Sequence, residues 1–163
     1  MSTGDRRDNT LDQLLGSPRH FRGDILRPGD VGYEQACEIY NPRVQGKPAI
    51  VARCVGTQDV AAALRVARDR GLEVSVRGGG HSIGGWSSND GGLVIDLTQM
   101  RQVLIDPEAR TAWIGGGTLA GDLLIEADRF GLVGVTGAEP SIGVAGLAMG
   151  IGEAYLTARL GYA

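Results

Sequence analysis

Two rhythms of apolar and polar positions alternate along this chain. Residues 49–55, Ala-Ile-Val-Ala-Arg-Cys-Val, form a short and mostly apolar run that reads as a buried strand. Helical spacing follows. Val60, Ala63, Leu64 and Ala67 recur at i, i+3, i+4 and i+7, with Arg65, Arg68 and Asp69 elsewhere; Thr57 is placed to cap this helix and Gly71 to stop it. Residues 72–76 return to a strand pattern. Strand, helix and strand within about thirty residues make a βαβ unit, whose right-handed crossover sets the two strands parallel.

Further along, residues 92–97 read as another strand. Residues 102–106 pair with 111–115 across the Pro107-Glu108-Ala109-Arg110 turn as an antiparallel hairpin, so parallel and antiparallel pairing are both expected. Thr118 is expected to cap a helix carrying Leu119, Leu123, Ile125 and Ala127 on one broad face and closed by Gly131, and another helix is predicted from Leu147. Residues 1–45 read as an N-terminal arm packed against a body that occupies 46–163. In the arm, residues 11–15 suggest a helical turn stopped by Gly16-Ser17-Pro18, and Pro28-Gly29-Asp30 is a turn. Residues 33–40 form a short helix with Asp30 near its N-cap, ended by Asn41-Pro42 because a residue before proline is pushed out of the helical region.

Composition changes this picture in one respect. The chain has 27 glycines in 163 residues, clustered between apolar runs without any repeat, which indicates ligand-binding loops on a folded scaffold and not a flexible linker. A net charge of -3 without a basic run argues against nucleic acid or an anionic membrane as partner. Cys37 and Cys54 are too far apart for a CxxC pair and lack paired histidines, so no metal site is expected and both read as buried thiols. No apolar stretch approaches the ~20 residues that span a bilayer, and the polar N-terminus makes the cytoplasm the expected compartment.

The candidate chemistry gathers at residues 76–85, Val-Arg-Gly-Gly-Gly-His-Ser-Ile-Gly-Gly, where the second strand of the βαβ unit opens into glycines around His81, one of two histidines. Glycines there let backbone N–H groups approach an anionic ligand, and the imidazole offers a nucleophilic or ligating nitrogen, so the loop reads as a phosphate cradle. Ligands of parallel sheets commonly bind at this end of the strands. A second glycine-rich tract, 134–146, more than fifty residues away, suggests a long ligand gripped at two places. Gly115-Gly116-Gly117-Thr118-Leu119-Ala120 also satisfies GxGxxA, the outline of a nicotinamide-dinucleotide fingerprint. Its preceding strand belongs to a hairpin instead of opening a βαβ unit, so a structural turn is the favoured reading.

Three ordered blocks carry a family resemblance: Arg77-Gly78-Gly79-Gly80-His81-Ser82, the run Asp-Gly-Gly-Leu-Val-Ile-Asp-Leu at 90–97, and Gly143-Val144-Ala145-Gly146-Leu147-Ala148-Met149-Gly150. Together they resemble the FAD-binding domain of the vanillyl-alcohol-oxidase and p-cresol-methylhydroxylase superfamily (PCMH-type), in particular its bacterial berberine-bridge-enzyme-like oxidases. The lead-in at 21–30 and Tyr40-Asn41 fit the same pattern. The resemblance implies an α+β fold of two subdomains with FAD between them, a βαβ unit followed by a mixed sheet, incomplete at the C-terminus. It implies that Arg77, Gly78, Gly79, Gly80, His81 and Ser82 wrap the pyrophosphate, that backbone at 143–146 meets it too, and that Gly137, Gly143, Val144, Gly146 and Gly150 are cofactor-binding residues. It also implies that His81 carries the flavin covalently through the 8α-methyl carbon.

Where doubly linked relatives have a cysteine, this chain has Glu139, so a second, thioether link is not expected. Gly150-Ile151-Gly152 replaces a run of three glycines, and Glu153-Ala154-Tyr155 replaces an apolar-Gly-aromatic pattern. Family members continue for several hundred residues into a substrate domain that holds the catalytic base, so the chain reads as a fragment, a truncated reading frame or a stand-alone flavin-binding half. The resemblance implies the FAD-binding portion of an oxidoreductase that takes a hydride from an alcohol, sugar or phenolic carbon and passes electrons to oxygen. The alternative is a non-catalytic flavin-binding module that needs a partner for the missing half. Catalytic residues are not assigned, a small-molecule substrate is expected only with that half supplied, and self-association is expected.

Overall fold

Four short strands, Asp24–Leu26 (β1), Ile50–Arg53 (β2), Val74–Arg77 (β3) and Leu93–Asp96 (β4), form one sheet in the order β1-β2-β4-β3. The computed structural model describes residues 21–150, 152–153 and 155–161; the expected helical turn at 11–15 lies outside them. β2 and β3 both run parallel to β4, which lies between them, so the βαβ crossover skips one strand position. β1 runs antiparallel to β2, which makes the sheet mixed. A separate antiparallel pair, Val103–Asp106 (β5) and Thr111–Ile114 (β6), is the expected hairpin. Its turn is held by Asp106, which accepts the Ala109 N–H at 2.9 Å, and by Arg110 at φ 54. The α+β class with a βαβ unit and mixed pairing is thus the architecture of the chain.

Helices cover both faces of the sheet: Tyr33–Cys37 (α1) on one and Thr57–Arg70 (α2) on the other. All four residues of β4 are buried, because a central parallel strand is covered on both sides and its sequence is therefore continuously apolar up to Asp96. Leu93 and Ile95 pack with Ile50, Ala52 and the small side chains Ala62, Ala63 and Ala67 of α2. Val94 and Val51 pack on Tyr33 and Ala36 of α1. Burying each such branched side chain stabilises the fold by about 1.5–3 kcal/mol.

Several helix details depart from the sequence reading. On α2 the buried stripe is Asp59, Ala62, Ala63, Val66 and Ala67, and Leu64 is 47% exposed. The alanines let the helix lie close to the sheet, which turns Leu64 to the rim. Gly56, not Thr57, is the N-cap. The capping is done by the buried Asp59, whose carboxylate accepts the N–H groups of Val55 (2.9 Å), Gly56 (3.1 Å) and Arg22 (2.8 Å). At the other end Gly71, at φ 63, stops the helix as expected.

Helix α1 starts after Gly32 at φ 86 and ends at Cys37, short of Tyr40. The Asp30 carboxylate turns back to the Arg27 N–H (2.7 Å), and the buried Tyr33 hydroxyl donates to the Pro48 carbonyl (2.7 Å). In the second half of the chain, Ala120–Asp128 (α3) is capped by Leu119 and Asp122, not by Thr118. The buried Thr118 hydroxyl instead donates to the Gln102 carbonyl at 3.2 Å. Ala120, Leu123 and Ala127 form the buried face of α3. Ile125 is 65% exposed because two residues beyond Leu123 is about 200° around the helix. The next helix, Val144–Met149 (α4), begins three residues earlier than expected, directly after Gly143, and Thr157–Leu160 (α5) follows. Among the described residues no helix is long and apolar enough to cross a membrane.

Candidate functional site

Strands β2, β3 and β4 end side by side at Arg53, Arg77 and Asp96. The glycine run after β3 leaves the sheet there, with the Arg77 carbonyl accepting the Leu97 N–H at 2.8 Å. The buried Asp96 accepts the Thr98 N–H at 2.8 Å and lies 3.5 Å from the Arg53 guanidinium, so this sheet end is held by a buried carboxylate.

Three glycine runs meet above it. A Cβ on Gly78 would lie 3.0 Å from the Gly116 carbonyl oxygen, and one on Gly79 would lie 2.8 Å from the Ser141 carbonyl oxygen and the Gly143 Cα. The tracts around Gly79 and Gly143, read from the sequence as two separate grips, are therefore one continuous ridge. Backbone packs on backbone here because neither glycine carries a side chain. The third run, 115–117, is a tight turn: the Gly115 and Gly117 N–H groups donate to Gln102 and Met100, and Cβ atoms there would overlap the Met100 and Leu97 carbonyls. Packing accounts for those glycines, in line with the structural reading of the GxGxxA match.

Along the ridge, the N–H groups of Gly78, Gly79, Gly80 and His81 have no acceptor among the described residues. Successive backbone donors without an acceptor, with Gly80 in the left-handed region at φ 72, are backbone groups of the kind that can meet an anion. Gly146 is exposed with nothing within 4 Å of its Cβ position, so a ligand approaching there meets bare backbone. These features fit FAD, whose pyrophosphate is anionic and whose length needs an open surface.

Each remaining candidate residue has a definite place. The His81 ring stacks on Tyr40 (centroids 4.5 Å apart, planes at 19°), and its Nε2 lies 2.9 Å from Ser141 Oγ. Tyr40 is itself tied to the ridge through its N–H, which donates to the Gly80 carbonyl at 3.0 Å. Asn41 donates to the Ile83 carbonyl at 2.8 Å. The Arg77 guanidinium lies beneath the loop, donating to the Ala36 carbonyl, with its Nε buried against Gly80 and unpartnered among the described residues. Ser82 accepts the Trp86 N–H at 3.1 Å and closes its own turn. Val144 is buried and donates to the Thr118 carbonyl at 3.0 Å; Gly137 is buried against Ile142. Gly150 is exposed at the end of α4, with the Gly146 carbonyl oxygen 2.9 Å from its Cβ position. Glu139 is exposed and its carbonyl accepts the Ile142 N–H.

Ser141 had no signal of its own in the sequence. Its position follows from α3, whose first N–H groups, on Ala120 and Gly121, donate to the Ile142 and Pro140 carbonyls on either side of it at 2.8 and 3.0 Å. That helix start is locked in turn by Asp122, which accepts the Leu119 N–H and pairs with Arg101 through two bonds of 2.8 and 2.5 Å.

A cavity of about 500 Å3 runs along α1, lined by Tyr33, Cys37, Val44 and Lys47 among others, and does not include the glycine ridge. The ridge is an open surface, and its donors rather than an enclosed volume make it the candidate site. Cys54 is buried and Cys37 half-buried. Burial, then the charges of Asp59 and Asp96, push the Cys54 thiol up to about 12; burial also raises Cys37, against the lowering effect of its Tyr33 hydrogen bond. Among the described residues no group of acidic, histidine and cysteine side chains is arranged to hold a metal.

Comparison with known proteins agrees with this geometry. The FAD binding domain family matches residues 48–163. The chain is 43% identical over 153 residues to (R)-6-hydroxynicotine oxidase of Paenarthrobacter nicotinovorans, covering 94% of this chain and 33% of that protein. The crystal structure of 6-hydroxy-D-nicotine oxidase from Arthrobacter nicotinovorans superposes with a TM-score of 0.85 at 42% identity, covering 91% of this chain and 33% of the other. A structure of glucooligosaccharide oxidase from Acremonium strictum, described with a 6-S-cysteinyl, 8α-N1-histidyl FAD, superposes with a TM-score of 0.85 at 29% identity, covering 94% and 32%. The chain spans about a third of the length of these relatives.

Proposed function

This chain belongs to the FAD binding domain family, within the vanillyl-alcohol-oxidase and p-cresol-methylhydroxylase superfamily, and FAD is its cofactor; from that premise we propose that it is the cofactor-holding portion of an FAD-linked oxidase in which His81 carries the flavin. The observation that carries the proposal is the single ridge formed by Gly78, Gly79, Gly80 and Gly143, where the N–H groups of residues 78–81 have no acceptor among the described residues. When bound, FAD supplies a ring that accepts a hydride from an alcohol, sugar or phenolic carbon, or from a hydroxynicotine-like substrate, and passes the electrons to oxygen.

The chain's own residues bind and orient. The N–H groups of residues 78–81 meet the pyrophosphate charge, and the absence of a side chain at Gly146 leaves room for close approach. Arg77 works from below, bracing the loop on the C-terminal end of α1. His81 stands at the end of the donor row, its ring held by Tyr40 and Ser141. With Glu139 at the position where a second thioether link would need sulfur, attachment is single. Purified chain reconstituted with FAD should show flavin absorption, and after denaturation the protein band should fluoresce. His81→Ala should bind FAD but release it on denaturation; retained fluorescence would refute the assignment of His81.

A second reading concerns completeness. Trp113 is 78% and Met149 83% exposed, and Val76 on the edge strand β3 is also exposed, an amount of apolar surface that favours association. With a third of the relatives' length, we propose that the chain alone turns over no substrate and self-associates unless a partner supplies a substrate-binding part. Light scattering after size exclusion, with anaerobic flavin-reduction assays on candidate substrates, tests this. A monomer that reduces its flavin with one substrate would overturn it.

A further inference from the structure

We propose that Ser141 is the positioning residue for His81: its hydroxyl accepts the Nε2–H, pins the ring against Tyr40, and so leaves Nδ1 as the nitrogen that presents a lone pair to the cofactor. The inference rests on the reading that FAD occupies the ridge. Nε2 lies 2.9 Å from Ser141 Oγ, whereas Nδ1 has no hydrogen-bond partner among the described residues. In a neutral imidazole one nitrogen carries the proton and the other the lone pair, and the hydrogen bond made by the first selects the tautomer. Were Ser141 to donate to Nε2, Nδ1 would hold the proton and be unable to form a bond. Ser141 is exposed, so its own hydroxyl proton can turn to water while its oxygen accepts, at no desolvation cost.

The ring is fixed from two sides. Tyr40 covers one face, and Ser141 holds one edge from a loop anchored on the first turn of α3. A hydroxyl suits the task better than a carbonyl because its role can reverse. Attachment forms an Nδ1–C bond and breaks one C–H bond of the flavin 8α-methyl group. The methyl proton and the Nε2 proton leave to solvent, and the two electrons, held by the flavin, pass to dioxygen, which with two protons becomes hydrogen peroxide. Nε2 then bears a lone pair, and the Ser141 hydroxyl becomes its donor.

The test combines nitrogen NMR with attachment kinetics. With 15N-histidine label and a His20→Gln background, the cofactor-free full chain should show His81 predominantly as the Nε2–H tautomer. Ser141→Ala should give a tautomer mixture, and Ser141→Thr should restore the single form. On adding FAD, Ser141→Ala should slow covalent incorporation about tenfold, the low end of the loss when the partner that orients a metal-bound imidazole is removed. Unchanged tautomer ratio and unchanged incorporation in Ser141→Ala would overturn the proposal, as would a flavopeptide linked through Nε2. If the wild-type chain takes up no FAD, the cofactor reading fails by itself, and the tautomer comparison alone then supports or overturns the role of Ser141.

Discussion

Gly79 and Gly143, 64 positions apart in sequence, pack backbone against backbone: a Cβ on Gly79 would lie 2.8 Å from the Gly143 Cα, and one on Gly143 would lie 3.1 Å from the Gly79 Cα. This contact joins the loop after β3 to the loop before α4 and makes one ridge of them.

Gly79→Ala and Gly143→Ala should therefore each force the loops apart. The neighbours that a methyl group would meet are backbone atoms, which cannot swing aside, so a loss of about 1–3 kcal/mol in stability is expected. FAD binding should fall with it. Urea unfolding and FAD titration of both variants check this; full stability with native affinity would mean that the contact is dispensable.

Gly146→Ala makes the opposite prediction for the protein alone. The position is helical and its Cβ space is empty, so the substitution should leave stability unchanged or raise it by about 0.5–1 kcal/mol. On the proposed binding at the ridge, FAD affinity should nevertheless drop, because the methyl group would occupy the space left for the cofactor. Native affinity in a stabilised variant would move the cofactor away from Gly146.

The Arg101 and Asp122 pair anchors α3. Its hydrogen bond from Arg101 holds the Asp122 carboxyl below the usual range, burial opposes this, and the Leu119 N–H lowers it further. A depressed carboxylate contributes stability that is fully present above its unfolded value near pH 4 and is lost as pH falls through its folded value. Asp122→Asn should therefore cost about 0.5–2 kcal/mol at neutral pH and almost nothing in strong acid, the size expected for a cap on a partly exposed pair. Urea midpoints measured against pH would show the two curves converging on the acid side.

The two thiols should react in sequence. Burial pushes Cys54 up to about 12, so the native protein should leave it unmodified by a thiol reagent at pH 8, with Cys37 reacting first and Cys54 only on unfolding. A thiol raised on folding contributes stability that is present below its unfolded value near 9.0 and lost as pH rises towards about 12. Stability should decline in that alkaline window, and Cys54→Ala should remove part of the decline. Rapid labelling of both thiols in native protein would contradict the burial.

Local pattern alone located β2, α2, β3, β4 and the hairpin, because each is specified by short-range periodicity and by punctuating residues such as Gly71 and the turn at 107–110. The glycines around His81 indicated an anion cradle, since backbone without side chains beside a histidine is a local statement about what can approach; FAD itself was implied by the family resemblance of the three blocks. The caps were misread because Asp59 and Asp122 reach back three residues to do what Thr57 and Thr118 were expected to do. Leu64 fell outside its buried face because the depth to which α2 sinks depends on the alanines opposite the sheet, a property of the packed pair, whereas Ile125 was misplaced against the helix period itself, lying about 200° from Leu123. The unity of the glycine ridge, the Ser141 contact with His81 and the inward turn of Arg77 were decided only by tertiary structure: each joins segments more than forty residues apart, and no local rule reports which backbones will meet across that distance.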